Sequence, residues 1–134
     1  MKVLIIGSGG REHALVKQAR RSPSVDKVYC APGNSGIEED CECVGIPADR
    51  VGELVQFVQT QKIDLTVVGP EQPLALGIVD EFEKQGLKIF GPNKMASVLE
   101  ASKIYTKEFC VRHGIPTAPF KTFTKNDEAK KYVQ

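Results

Sequence analysis

The residues with the most chemical potential stand between a short apolar run and a helical stretch near the start of the chain: Gly7-Ser8-Gly9-Gly10-Arg11-Glu12-His13. A strand that passes into a helix through glycines presents backbone N–H groups at the positive end of the helix dipole, which suits an anion such as a phosphate. Gly9 and Gly10 have no Cβ to hold that anion away from the main chain. Arg11 adds a planar, charged donor that pairs with phosphate oxygens. The plainer alternative is a tight strand-to-helix turn with no ligand, with Arg11 a solvated helix residue. A dinucleotide would demand more. The G-x-G-x-x-G pattern wants a third glycine where Glu12 stands, and an acid at the end of the second strand, where the chain reads Cys30-Ala31-Pro32-Gly33-Asn34. Both requirements fail, so a smaller phosphate ligand fits better than NAD.

Two more clusters follow strand-like runs, Pro32-Gly33-Asn34 and Gly69-Pro70-Glu71. In an open parallel sheet, ligands bind outside the carboxyl ends of the strands, where the strand order reverses. All three clusters would meet there. Asn34 is either a polar contact or a turn residue, and Glu71 either accepts two ribose hydroxyls or serves as a first-turn helix acid. His13 and His113 read as helix residues with structural roles, His113 at a helix C-terminus where positive charge is favoured. No Ser-His-Asp or Cys-His order has supporting context.

The elements that must position these clusters alternate. Val3–Ile6 is a continuous apolar run, as in a strand buried on both faces. A helix spans Arg11 to Arg21, with Ala14, Leu15, Gln18 and Ala19 along one side. Lys27–Ala31 is a second strand running into a turn cluster, and Cys43–Ile46 a weak third. Asp49 caps a helix reaching Gln61, with Val51, Leu54, Val55 and Val58 at helical spacing. Leu65–Val68 is a fourth strand. A helix from Leu74 to Gln85 presents Leu74, Ile78, Val79 and Phe82 and ends at Gly86, and Lys88–Phe90 is a fifth strand. Helices follow over Lys94–Leu99 and Ser102–His113, then a short strand over Phe120–Phe123 and a helix from Glu128 to Val133 capped by Asn126. Alternation of this kind predicts an α/β fold, a doubly wound parallel sheet of about five strands. The change of texture after Pro92 divides the chain into a Rossmann-like domain, residues 1–92, and the beginning of an incomplete second one, residues 93–134.

The 134 residues carry 18 basic and 17 acidic side chains, a net +1 that offers no footprint for a nucleic acid or an anionic membrane. Gly7 interrupts the first apolar run far short of a membrane helix or a signal peptide. The four cysteines (Cys30, Cys41, Cys43 and Cys110) read as reduced thiols of a cytoplasmic chain. Cys41 and Cys43 form the one close pair, and no second pair or spaced histidines complete a zinc site.

Several long strings in register resemble the phosphoribosylamine–glycine ligases (glycinamide ribonucleotide synthetases). They are Met1–Leu15, Ala31-Pro32-Gly33-Asn34-Ser35-Gly36, Val67–Leu74, Phe90-Gly91-Pro92, Leu99-Glu100-Ala101-Ser102-Lys103 and His113–Ala118. The resemblance implies an ATP-grasp ligase of purine biosynthesis that joins glycine to 5-phosphoribosylamine, using ATP and Mg²⁺. It implies that Gly9, Gly10 and Arg11 sit at the ribose phosphate, with Gly33 and Asn34 beside it, and that Pro70 and Glu71 lie at the ribose hydroxyls. It also implies that Lys103 reaches toward the nucleotide phosphates. Gln72 stands where the family commonly has Ala, and Ala101 where Gly is usual. The ATP- and Mg²⁺-holding strands of the family fall beyond residue 134. The chain is therefore expected to be an N-terminal portion of such a ligase, inactive alone and acting on small molecules. A nicotinamide-dependent oxidoreductase and a non-catalytic module that retains the fold are the rival readings.

Overall fold

The computed structural model describes residues 1–133 and divides into two compact units, Met1–Ser97 and a second beginning at Val98. The first unit is built on five parallel strands: β1 (Lys2–Gly7), β2 (Lys27–Pro32), β3 (Glu42–Cys43), β4 (Leu65–Val68) and β5 (Ile89–Phe90). Their order across the sheet is β3-β2-β1-β4-β5. β1 therefore lies at the centre, pairing Val3–Gly7 with Val28–Pro32 on one side and Val3–Ile6 with Leu65–Val68 on the other.

Helices cover both faces, which is why β1 is apolar at every position from Val3 to Ile6. Val3 and Ile5 pack with Val28 and Cys30 against Val16 of α1 (Gly10–Arg21) and Ile37 of α2 (Ser35–Glu38). Leu4 and Ile6 face the other way, with Tyr29 and Ala31, onto Leu54, Val55 and Val58 of α3 (Val51–Gln61). Leu74 of α4 (Glu71–Leu76) and Ile78, Val79 and Phe82 of α5 (Ile78–Lys84) complete that layer. The doubly wound arrangement expected from the alternation of elements is thus the one observed.

Several local expectations are corrected. On α1 the inward residues are Glu12 and Val16, flanked by half-buried Leu15 and Ala19, while Ala14 and Gln18 are exposed. The buried face thus follows the i, i+3, i+4, i+7 spacing from position 12. Asp49 does not cap α3: a turn closed by the Arg50 amide on the Pro47 carbonyl intervenes, and the helix starts after Arg50 without a side-chain cap. The third strand pairs earlier than expected, at Glu42 and Cys43, because the chain turns at once through an Ile46 N–H to Val44 carbonyl bond. The helix expected over Leu74–Gln85 begins at Glu71 and is interrupted by Gly77, whose φ of 89° is a left-handed conformation that ends α4. Pro73 is tolerated in α4 because its first turn leaves N–H groups unpaired anyway.

In the second unit, α7 (Lys103–Arg112) is capped by the Ser102 hydroxyl, which accepts the Tyr105 N–H at 3.2 Å. α6 (Lys94–Ala101), whose first half belongs to the first unit, precedes it in the chain, and α8 (Asn126–Val133) follows. No strand forms at Phe120–Phe123; Phe123 packs on Tyr132 of α8 instead, ring centroids 5.3 Å apart. Asn126 is the first residue of α8.

Candidate substrate-binding site at the strand carboxyl ends

The three clusters singled out by sequence emerge from neighbouring strands β2, β1 and β4, and hydrogen bonds tie them together. Gly33 donates its amide to the Gly7 carbonyl at 3.1 Å, and Gly69 donates to Ile6 at 3.0 Å. Each bond extends a strand ladder by one step past the strand itself. The Asn34 side chain works in both directions. Its Oδ1 accepts from the Gly36 and Ile37 amides at 2.8 and 3.0 Å, capping α2, and its Nδ2 donates to the Ser8 carbonyl at 2.6 Å. Arg11 crosses to the third cluster, donating from Nη1 to the Gly69 carbonyl at 2.8 Å.

Glu12 governs the turn itself. It is 5% exposed, although it sits in the first turn of a surface helix. Its carboxylate accepts the Gly9 amide at 2.6 Å, the second half of a capping box. Of the amides expected to face an anion, Gly9's is thus taken by the protein. The amides of Gly10 and Arg11, both exposed residues, have no acceptor among the described residues. Pro70 precedes α4, and Glu71 opens it as an exposed first-turn acid with no protein partner among the described residues.

Beneath the second cluster, Gly33 has a φ of 73°, and a Cβ there would overlap the Cys43 sulfur. Sequence reasoning set the cysteines aside, yet Cys43 fills the space under this turn. Burial pushes the thiols of Cys30 and Cys41 up to about 12, with repulsion among the three neighbouring sulfurs adding to it. Burial also raises Cys43. At pH 8 the thiolate fraction of Cys30 and Cys41 is on the order of one in ten thousand, so iodoacetamide is expected to alkylate them orders of magnitude more slowly than the urea-unfolded chain. Labelling followed by peptide mass mapping checks this, and equal rates in the two states would contradict it.

His13 is held away from chemistry. Its Nε2 lies 2.7 Å from Asp40, which also pairs with Arg20 at 2.8 Å and Lys17 at 3.6 Å. These partners, the His13 hydrogen bond foremost, hold the Asp40 carboxyl below its ordinary value. A shallow cleft of about 270 Å³ near Asp40, lined by Arg20, Lys27, Asp40 and Glu42, lies at the amino ends of β2 and β3. That is the wrong end of a parallel sheet for a ligand.

The second unit contains Lys103, the first residue of α7, exposed and unpaired among the described residues. His113 caps the end of the same helix, its ring 4.3 Å from Phe109, as the structural reading of that histidine expects. Glu12 and Cys43 are the residues that sequence reasoning undervalued. The Gly9-x-x-Glu12 spacing was the available signal for the first; Cys43 had none, because its contact with Gly33 is made only in the fold.

The comparisons with known proteins agree with this architecture. The sequence profile described as "Phosphoribosylglycinamide synthetase, N domain" matches residues 1–100. The phosphoribosylamine–glycine ligase of Caldanaerobacter subterraneus subsp. tengcongensis is 51% identical over 134 residues, all of this chain and 32% of that protein. The chain thus spans about a third of the length of such curated relatives. The crystal structure of phosphoribosylamine–glycine ligase from Thermotoga maritima matches 99% of the chain and 30% of its own, with a TM-score of 0.64 at 28% identity. The biotin carboxylase domain of the Hydrogenobacter thermophilus 2-oxoglutarate carboxylase matches 98% of the chain and 32% of its own. Its TM-score is 0.69 at 20% identity, a likeness of fold alone. With a family profile spanning the whole first unit, the chain belongs to the phosphoribosylglycinamide synthetase N-domain family.

Proposed function

We propose that this chain supplies the sugar-phosphate-binding lobe of a phosphoribosylamine–glycine ligase, the ATP-dependent enzyme that joins glycine to 5-phosphoribosylamine in purine biosynthesis. The observation that carries the reading is the pair of open amides at Gly10 and Arg11. They stand at the start of α1, framed by two neighbouring strand-end loops that hydrogen bonds hold in place. The phosphate ester lies against those two amides, where the helix dipole favours negative charge. Arg11, anchored through one nitrogen on Gly69, keeps further N–H groups for the phosphate oxygens. The exposed Glu71 carboxylate accepts ribose hydroxyls. Gly9, Gly33, Asn34 and Pro70 act by shaping the loops.

The lobe's contribution to the reaction is to hold and orient the amine-bearing sugar, which converts a bimolecular encounter into a positioned one. Among the described residues there is no group of three or more His, Cys, Asp or Glu side chains that could hold a metal ion. On this reading ATP and Mg²⁺ are bound mainly by parts of the ligase outside these 134 residues, with Lys103 reaching toward the nucleotide phosphates. On the same reading its substrates are small molecules and its setting is the cytoplasm.

Isothermal titration of the chain with ribose 5-phosphate, a stable stand-in for the amine, tests the reading. Saturable one-to-one binding is expected. Arg11→Ala is expected to weaken it by about 1.5–3 kcal/mol, the range for a hydrogen bond to a charged group. Heat-free titration of the wild-type chain would overturn the reading, and unchanged affinity in the variant would remove Arg11 from the site.

A further inference from the structure

The sheet order β3-β2-β1-β4-β5 reverses direction between β1 and β4, so the crevice of this fold opens between Gly7 and Gly69. In dinucleotide-binding relatives of the fold a pyrophosphate crosses that point, and a glycine stands where Glu12 is here. In this chain the Glu12 side chain occupies the space between those two glycines. A Cβ built on Gly7 would lie 2.5 Å from Glu12 Cγ and 2.7 Å from its carboxyl carbon, and one built on Gly69 would overlap the same carboxylate. Both glycines have yielded their side-chain space to Glu12. The same carboxylate occupies the Gly9 amide.

We propose that Glu12 is the specificity-determining residue of this lobe. By filling the crevice and taking the Gly9 amide, it leaves room and donors for one phosphoryl group and shuts out a diphosphate. The inference deepens the sugar-phosphate reading and rests on it. Of the turn's amides that have no acceptor among the described residues, those of Gly10 and Arg11 are adjacent at the exposed start of α1 and suit the oxygens of a single monoester. A diphosphate has to approach the main chain across the space that the Glu12 side chain fills, and it loses the Gly9 donor as well. Glu12 thus touches neither the reacting atoms nor, on this reading, the ligand. It acts by deciding which donors a ligand meets.

The test compares affinities for ribose 5-phosphate and ADP-ribose, measured by isothermal titration on the whole chain and on Glu12→Gln, Glu12→Ala and Glu12→Asp. The ratio of the two affinities is the readout, because a variant that merely loosens the fold weakens both ligands together. Wild type is expected to prefer ribose 5-phosphate by about tenfold or more, the factor one hydrogen bond to a charged phosphate supplies. Glu12→Gln keeps the volume and an acceptor for the Gly9 amide, so it retains the preference. Glu12→Ala opens the crevice and frees the amide, and the preference is expected to fall to about threefold or less. If circular dichroism shows Glu12→Ala unfolded, Glu12→Asp, one methylene shorter, is judged by the same criterion. A folded crevice-opening variant that keeps the full preference overturns the inference alone, as does wild type binding both ligands equally. Absence of ribose 5-phosphate binding to wild type overturns the functional reading and the inference with it.

Discussion

Truncating Phe82 to alanine is expected to remove about 3–5 kcal/mol of folding stability, the usual range for deleting a buried aromatic side chain. Phe82 is fully buried at the centre of α5, in the cluster where Leu4 and Ile6 of β1 meet Leu54 and Val58 of α3 and Ile78 and Val79 of α5. The neighbours belong to three separate elements, each held by its own strand or helix, so they cannot collapse freely into the void. Since a whole domain is stable by only about 5–15 kcal/mol, this one change removes a large share of the first unit's margin. Urea denaturation followed by far-ultraviolet circular dichroism checks it. A loss below about 1 kcal/mol would mean that the site relaxes and that Phe82 does not anchor the layer.

Gly33→Ala is expected to cost about 2–5 kcal/mol, from two independent sources. The left-handed backbone, φ 73°, penalises any side chain, and the new methyl group would overlap the Cys43 sulfur below it. The turn cannot move aside cheaply, because its amide is bonded to Gly7 and the next residue, Asn34, is bonded to Ser8. Displacing it opens the Ser8 contact and is expected to weaken ribose 5-phosphate binding as well. A paired variant separates the two sources. Measured against Cys43→Ala alone, Gly33→Ala with Cys43→Ala is free of the sulfur overlap but not of the backbone penalty, so about 1–2 kcal/mol of the loss should remain. Chemical denaturation of the single and paired variants gives both figures. Equal stabilities for wild type and Gly33→Ala would show that the turn is not constrained as described.

What could be read from the sequence follows from where each determinant lies along the chain. β4 was legible to the residue, Leu65–Val68, because an apolar β-branched run between Asp64 and Gly69-Pro70 has both ends marked. The buried faces of α3, α4 and α5 were legible as spacing. The break at Gly77 was not, since a lone glycine in a helical pattern gives no sign of the backbone angle it will take, here φ 89°. The strand expected at Phe120–Phe123 had suitable residues, but Phe123 found a ring to pack against on α8 in place of a strand. At the candidate site, the glycines, Arg11, Asn34 and Glu71 were visible as strings of unusual composition after strands. The inward turn of Glu12 was not, because its burial depends on Gly7 and Gly69, the second of them 57 residues away in sequence.

The two amide-to-carbonyl bonds from Gly33 to Gly7 and from Gly69 to Ile6 carry one last consequence. They make the loops prolongations of the sheet, so the ordering entropy of those segments is met when the chain folds. An arriving ligand then finds donors already oriented, and its binding free energy is not reduced by the entropy cost of ordering these loops. A rim built this way lets capture proceed at the pace of encounter, with no loop closure to wait for.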